Sequence, residues 1–139
     1  MVSSVLKLNV LKVLNFFKVL NDKYGHLAGD QALKKIAATL NSVAKRAGDF
    51  VARYGGEEFI VILPQTDLQG AMGLAETMRT EVEKLAIENL YVPLQQVTIS
   101  LGVACAIPSA DLTAMELVDK ADQQLLLAKN SGKNQVKAE

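Results

Sequence analysis

Several residue types that mark whole protein classes are scarce in this chain. It has one cysteine, no tryptophan and three prolines in 139 residues. A lone thiol excludes an internal disulfide framework and fits a reducing compartment. No apolar run reaches the roughly 18–20 residues that span a bilayer, so no membrane span is expected. Residues 1–10 hold neither a long apolar stretch nor a small-residue cleavage site, which argues against a signal peptide. An excess of one charge is also missing: 15 basic residues balance 15 acidic ones. A broad phosphate-backbone surface carries a basic excess, so nucleic acid is not an expected partner. Half the residues are hydrophobic and 22% are charged, a balance that excludes extended disorder. The expectation is one cytoplasmic domain, residues 1–139, with one core.

The apolar run Val5, Leu6, Leu8, Val10, Leu11, Val13 and Leu14 reads as a first, mostly buried strand. Phe16, Phe17, Val19 and Leu20 suit a short helix, which Gly25 stops. Leu33, Ile36, Ala37, Leu40, Val43 and Ala44 then keep the spacing of an amphipathic helix, with Gly29-Asp30 just before or in its first turn. Two β-prone runs, residues 50–54 and 57–63, flank Gly55-Gly56, a hairpin signal. Asp67 is placed to cap a third helix whose acidic outer face reads as solvated. A strand around residues 97–104, with small residues on its second face, precedes a last helix at about 112–129 and a polar tail. The order β-α-α-β-β-α-β-α predicts an α+β fold of the split-βαβ kind.

The hairpin tip carries the chemistry. Glu57 and Glu58 follow the glycines directly, and consecutive strand residues face opposite sides of a sheet, so they cannot share one role. Glycines beside a carboxylate let a ligand approach the backbone closely. Oxygen ligands of this kind suit Mg²⁺, and Mg²⁺ with phosphates suits nucleotide chemistry.

Gly55-Gly56-Glu57-Glu58-Phe59 resembles the signature of the GGDEF family of diguanylate cyclases, in its GGEEF form. Residues 17–26, Phe-Lys-Val-Leu-Asn-Asp-Lys-Tyr-Gly-His, with Gly29-Asp30 resemble the family's FKxxNDxxGHxxGD block. Arg46-Ala47-Gly48-Asp49 is similar to its RxxD element, residues 97–104 to its fourth strand, and Lys129 with Gly132-Lys133-Asn134 to its final helix and turn. The resemblance implies a nucleotide-cyclase-like, ferredoxin-like sheet with helices packed on it. It also implies condensation of two GTP into cyclic di-GMP with release of pyrophosphate, in a homodimer whose members each hold one GTP. Mg²⁺ or Mn²⁺ is the implied cofactor, and an N-terminal sensory domain the implied neighbour in a full-length protein.

Carried over residue by residue, the resemblance makes Asn21 and Asp30 guanine readers, since an amide and a carboxylate can pair with the base's polar edge. It makes Phe16, Phe17 and Lys18 the phosphate loop, and Lys129 and Lys133 the cations on the terminal phosphates. Glu57 and the Leu14 carbonyl become metal ligands. Glu58 becomes the neighbour that activates the hydroxyl or places metal, with Gly55 and Gly56 as the catalytic turn. Arg46 and Asp49 become the site where product binds and inhibits.

The chain departs from the family pattern in three places. The DxDxFK element is Val13-Leu14-Asn15-Phe16-Phe17-Lys18, so a hydrocarbon stands where the first metal-binding acid belongs and an amide replaces the second. Lys133 occupies a position usually held by Arg, keeping charge but losing bidentate geometry. The family's usual first helix, with its NRR motif, has no counterpart before residue 5. Phosphoryl transfer depends on metal neutralising the triphosphate, so turnover is expected to be weak or absent. The other open reading is a non-catalytic module that senses GTP or cyclic di-GMP. For His26 a turn-stabilising role is expected, and for Cys105 a small buried apolar one.

Overall fold

The computed structural model describes residues 8–15, 17–55, 58–91, 94–107 and 113–139, with side chains from residue 20 onward except Tyr54. In chain order the elements are β1 (Leu8–Asn15), α1 (Phe17–Tyr24), α2 (His26–Val43), β2 (Phe50–Gly55), β3 (Glu58–Pro64), α3 (Leu68–Lys84), β4 (Ile99–Ala106), α4 (Ala114–Asn130) and β5 (Val136–Ala138). They form one sheet in the order β2-β3-β1-β4-β5. β1 is central and antiparallel to both β3 and β4, and the first four strands have the arrangement of a split βαβ fold.

Alternation along the strands divides the molecule into two cores. Phe59, Val61, Leu63, Ile99, Leu101 and Val103 face one side and are buried with Ile36 and Leu40 of α2 and Ala75, Met78 and Val82 of α3. Each large side chain taken fully from water contributes about 2 kcal/mol. On the other side Ile60 and Ala104 meet Leu117 and Ala121 of α4. The apolar face of α4 is therefore Leu117, Ala121, Leu125 and Ala128, with Val118 only half-buried.

The helix starts follow from their caps. Asp67 accepts a hydrogen bond from the Gly70 N–H at 2.7 Å and opens α3. Thr113 caps α4 through a capping box with Glu116, so the helix begins at Ala114, two residues later than the sequence pattern suggests. Lys84 and Glu81 pair on the solvated side of α3 as expected, whereas the Arg79 side chain, paired with Glu76, is only 17% exposed and departs from that expectation.

Three expectations need correction. The tail is not irregular: Val136–Ala138 forms β5, parallel to β4, which extends the expected order by a strand. Three half-buried residues with Lys137 at the centre carry too little periodicity to show this. Gly29 and Asp30 lie inside α2, which begins at His26 after Gly25 (φ 91), so Asp30 is past the first turn. Gly55 is a strand residue paired with Glu58, not a turn residue. Among the described residues no helix is long and apolar enough to cross a membrane.

Candidate nucleotide site

The ladder registers bring the candidate residues to one end of the sheet. Leu14, next to last in β1, lies opposite Glu58, the first residue of β3, and on its other side opposite Ser100 of β4. The Ser100 hydroxyl accepts a hydrogen bond from the Asn134 N–H at 3.0 Å, and the Leu101 N–H donates to the Gln135 carbonyl at 3.0 Å. One row therefore runs Glu58, Leu14, Ser100, Asn134 across the sheet, with neighbouring strands about 4.8 Å apart. The hairpin end, the end of β1 and the α4–β5 turn carrying Lys133 share that edge. α1 also begins there, directly after β1.

Of the sequence-derived residues, Phe16, Gly56 and Glu57 lie outside the described residues, as do the side chains of Leu14, Phe17 and Lys18. Val13 is placed by its backbone opposite Phe59 and Leu101, one residue before Leu14. Lys129 is exposed in the last turn of α4, and Lys133 follows in the turn, half-buried.

Asn21 and Asp30 sit on successive helices, α1 and α2. The Asn21 side-chain nitrogen is 2.7 Å from His26 Nδ1, which ties the end of α1 to the start of α2. His26 thus does stabilise the turn. Asn21 Oδ1 is buried and has no hydrogen-bond partner among the described residues. Leaving such an acceptor unmade costs about 1–3 kcal/mol, a loss that a ligand N–H at the site would remove.

Tyr24, which the sequence reading left unassigned, holds α1 to the segment after α3. Its hydroxyl donates to Glu88 Oε2 at 3.2 Å and accepts from the Leu90 N–H at 3.0 Å. Its ring meets Tyr91 edge-on at 5.8 Å, and Lys23 Nζ stands 5.2 Å from the Tyr91 centroid. No local pattern could reveal a tie across more than sixty residues.

Arg46 and Asp49 are not part of the sheet end that carries Glu58. They precede β2, whose far end is Gly55, and the six residues of that strand set Phe50 and Gly55 roughly 17 Å apart. One edge of the Arg46 guanidinium is engaged: Nε lies 3.0 Å from Asp49 Oδ2, Nη2 lies 3.2 Å from Asp49 Oδ1, and Nη2 donates to Thr66 Oγ1 at 2.7 Å. The Asp49 side chain is 1% exposed and that of Arg46 46%, so the carboxylate is set into the loop while the guanidinium is half open to solvent.

Cys105 is half-buried, with Sγ 4.0 Å from the Thr66 carbonyl.

Glu57, the carboxylate expected to hold a divalent cation, lies outside the described residues. No group of three or more His, Cys, Asp or Glu side chains among the described residues could hold a metal ion. At the end of β1 the chain offers Val13, whose side chain has no donor oxygen, and Asn15, a neutral amide, opposite a strand that begins with Glu58. A two-carboxylate Mg²⁺ site cannot be assembled from β1.

Comparison with known proteins agrees with this geometry. Residues 7–135 match the family described as "Diguanylate cyclase, GGDEF domain". Diguanylate cyclase DgcM of Escherichia coli K12 is 44% identical over 122 residues, covering 88% of this chain and 28% of that protein. Diguanylate cyclase A of Treponema denticola is 42% identical over 132 residues, 93% of this chain and 34% of that protein. The chain thus spans about a third or less of these relatives. Among solved structures, the GGDEF domain of DgcB from Caulobacter crescentus in complex with c-di-GMP superposes with a TM-score of 0.84 at 29% identity, covering 96% of this chain and 78% of that one. The active GGEEF domain of a Vibrio cholerae diguanylate cyclase gives 0.79 at 29% identity, over 95% and 82%. With the split βαβ sheet, the GGEEF hairpin and these relatives in agreement, the chain belongs to the GGDEF family of diguanylate cyclase domains.

Proposed function

We propose that this domain binds GTP at the sheet end defined by Glu58, Leu14, Ser100 and Asn134, and that it forms cyclic di-GMP only slowly. The row itself carries the reading, because it gathers the hairpin end, the end of β1 and the Lys133 turn on one edge. Asn21 and Asp30 would read guanine, with the partnerless Asn21 Oδ1 as support. Phe16, Phe17 and Lys18 would meet the phosphates where α1 begins, and Lys129 and Lys133 would hold the terminal ones. Two domains, each with one GTP, are needed. Each 3′-hydroxyl forms a bond to the partner nucleotide's α-phosphorus, pyrophosphate leaves, and the hydroxyl proton passes to a base, for which Glu58 is the described candidate.

The weak turnover rests on position 13. A divalent ion would neutralise the triphosphate during transfer, and the valine side chain supplies no oxygen to hold it, which leaves Glu57 and the Leu14 carbonyl to do so. Glu58 remains as base or metal-placing neighbour. Arg46 and Asp49 form a second, distant site for cyclic di-GMP. That separation supports the sensor reading too, since product could bind there without turnover.

Titration calorimetry with GTP and with cyclic di-GMP, paired with a product assay in Mg²⁺, tests the proposal. GTP binding with little product supports it. No binding of either nucleotide overturns it.

A further inference from the structure

The turn after α4 has an unusual backbone. Gly132, Lys133 and Asn134 have φ of 115, 64 and 46, three successive residues in a region that L side chains seldom adopt. Asn tolerates this conformation and Gly favours it, but a lysine between them must be held there. The holding groups come from other elements. Asn134 Oδ1 accepts from Arg79 Nη1 at 3.0 Å, and Asn134 Nδ2 donates to Glu83 Oε2 at 2.8 Å. Arg79 Nη1 also donates to Glu83 Oε2 at 3.1 Å, closing a three-membered ring of hydrogen bonds. Glu76 accepts at another edge of the guanidinium, with both carboxylate oxygens near Nε at 2.9 and 3.0 Å. The Asn134 N–H is fixed on Ser100, and the Lys133 N–H donates to the Ala128 carbonyl at 3.0 Å.

Every hydrogen-bonding group of the Asn134 side-chain amide that the ring uses points back into α3, and the residue before it is Lys133. We propose that Arg79, Glu83 and Asn134 form a positioning clamp that fixes the left-handed turn and so presents the Lys133 ammonium to the terminal phosphates of a nucleoside triphosphate. The inference rests on the phosphate role of Lys133 in the function proposed above, and adds residues of α3 that touch no ligand. Lysine is a flexible point charge without the rigid fork of arginine. A rigid backbone beneath it is therefore the available means of aiming it.

The test is a double-mutant cycle on GTP affinity, read by calorimetry in Mg²⁺ buffer. Asn134→Gly leaves the left-handed turn accessible and removes both side-chain grips, so the fold is retained, which a thermal melt checks. In the native background Asn134→Gly should weaken GTP binding by about tenfold. In a Lys133→Ala background the same change should cost almost nothing, because the clamp acts through Lys133. An equal loss in both backgrounds, or no loss in the native one, overturns the clamp. Failure of the native chain to bind GTP at all overturns the nucleotide reading beneath it, and the clamp with it.

Discussion

Gly102 of β4 lies against Leu125 of α4 so closely that a Cβ on Gly102 would stand 2.8 Å from the Leu125 Cα, with the Ala121 carbonyl closer still. The obstructing atoms are helix backbone and cannot rotate away. α4 rests on the sheet only because Ser100, Gly102 and Ala104 leave room for it.

Gly102→Ala should therefore push α4 off the sheet. Overpacking of this kind costs about 3 kcal/mol. The expected result is a melting temperature lower by roughly ten degrees or more for a domain of this size. An unchanged melting temperature would show that α4 shifts without penalty.

Asp67 caps α3 through the Gly70 N–H. Replacing it with alanine leaves that donor unmet, at a cost of about 1 kcal/mol. Urea unfolding should show a lower midpoint with the same slope for Asp67→Ala, and a changed slope would point to an altered unfolded state instead.

Much of the fold could be read from the sequence, for identifiable reasons. α2 and α3 have long apolar stripes, Asp67 has a clear capping position, and β3 is a continuous run of β-formers. β5 was hidden because three residues around Lys137 pair with β4 only through tertiary contact. The site was legible as motifs but not as a place. Nothing local shows that Ser100 links Leu14 to Asn134, or that Arg79, expected to lie on a solvated helix face, reaches Asn134 across 55 positions. Gly132 followed by Lys and Asn was the one available signal of a left-handed turn.

The Arg79–Glu76 pair gives stability a small pH dependence. Hydrogen bonding to Arg79 holds the Glu76 carboxyl below its ordinary value of 4.5, against the opposing effect of burial. A depressed carboxyl contributes stability that is complete above the unfolded value and lost as pH falls through the folded one. Glu76 is half exposed, so the effect is screened and modest. Thermal melts of the native chain and Glu76→Gln should differ above about pH 4.5 and converge on acidification. A gap that widened with acid would contradict this.

Val13→Asp restores a carboxylate to β1 opposite Phe59 and Leu101, one residue before the Leu14–Glu58 pair. Cyclic di-GMP formation should rise by an order of magnitude or more if the rest of the site is intact. Chromatography of the products reads the change directly. No gain would show that position 13 is not what limits turnover.

The most direct measurement is the rate at which the purified native chain converts GTP to cyclic di-GMP in Mg²⁺, taken alongside its calorimetric affinity for GTP. Measurable GTP binding with little or no product is the expected result. Robust synthesis of cyclic di-GMP would contradict it, because a domain with valine at position 13 would then have no need of the missing carboxylate.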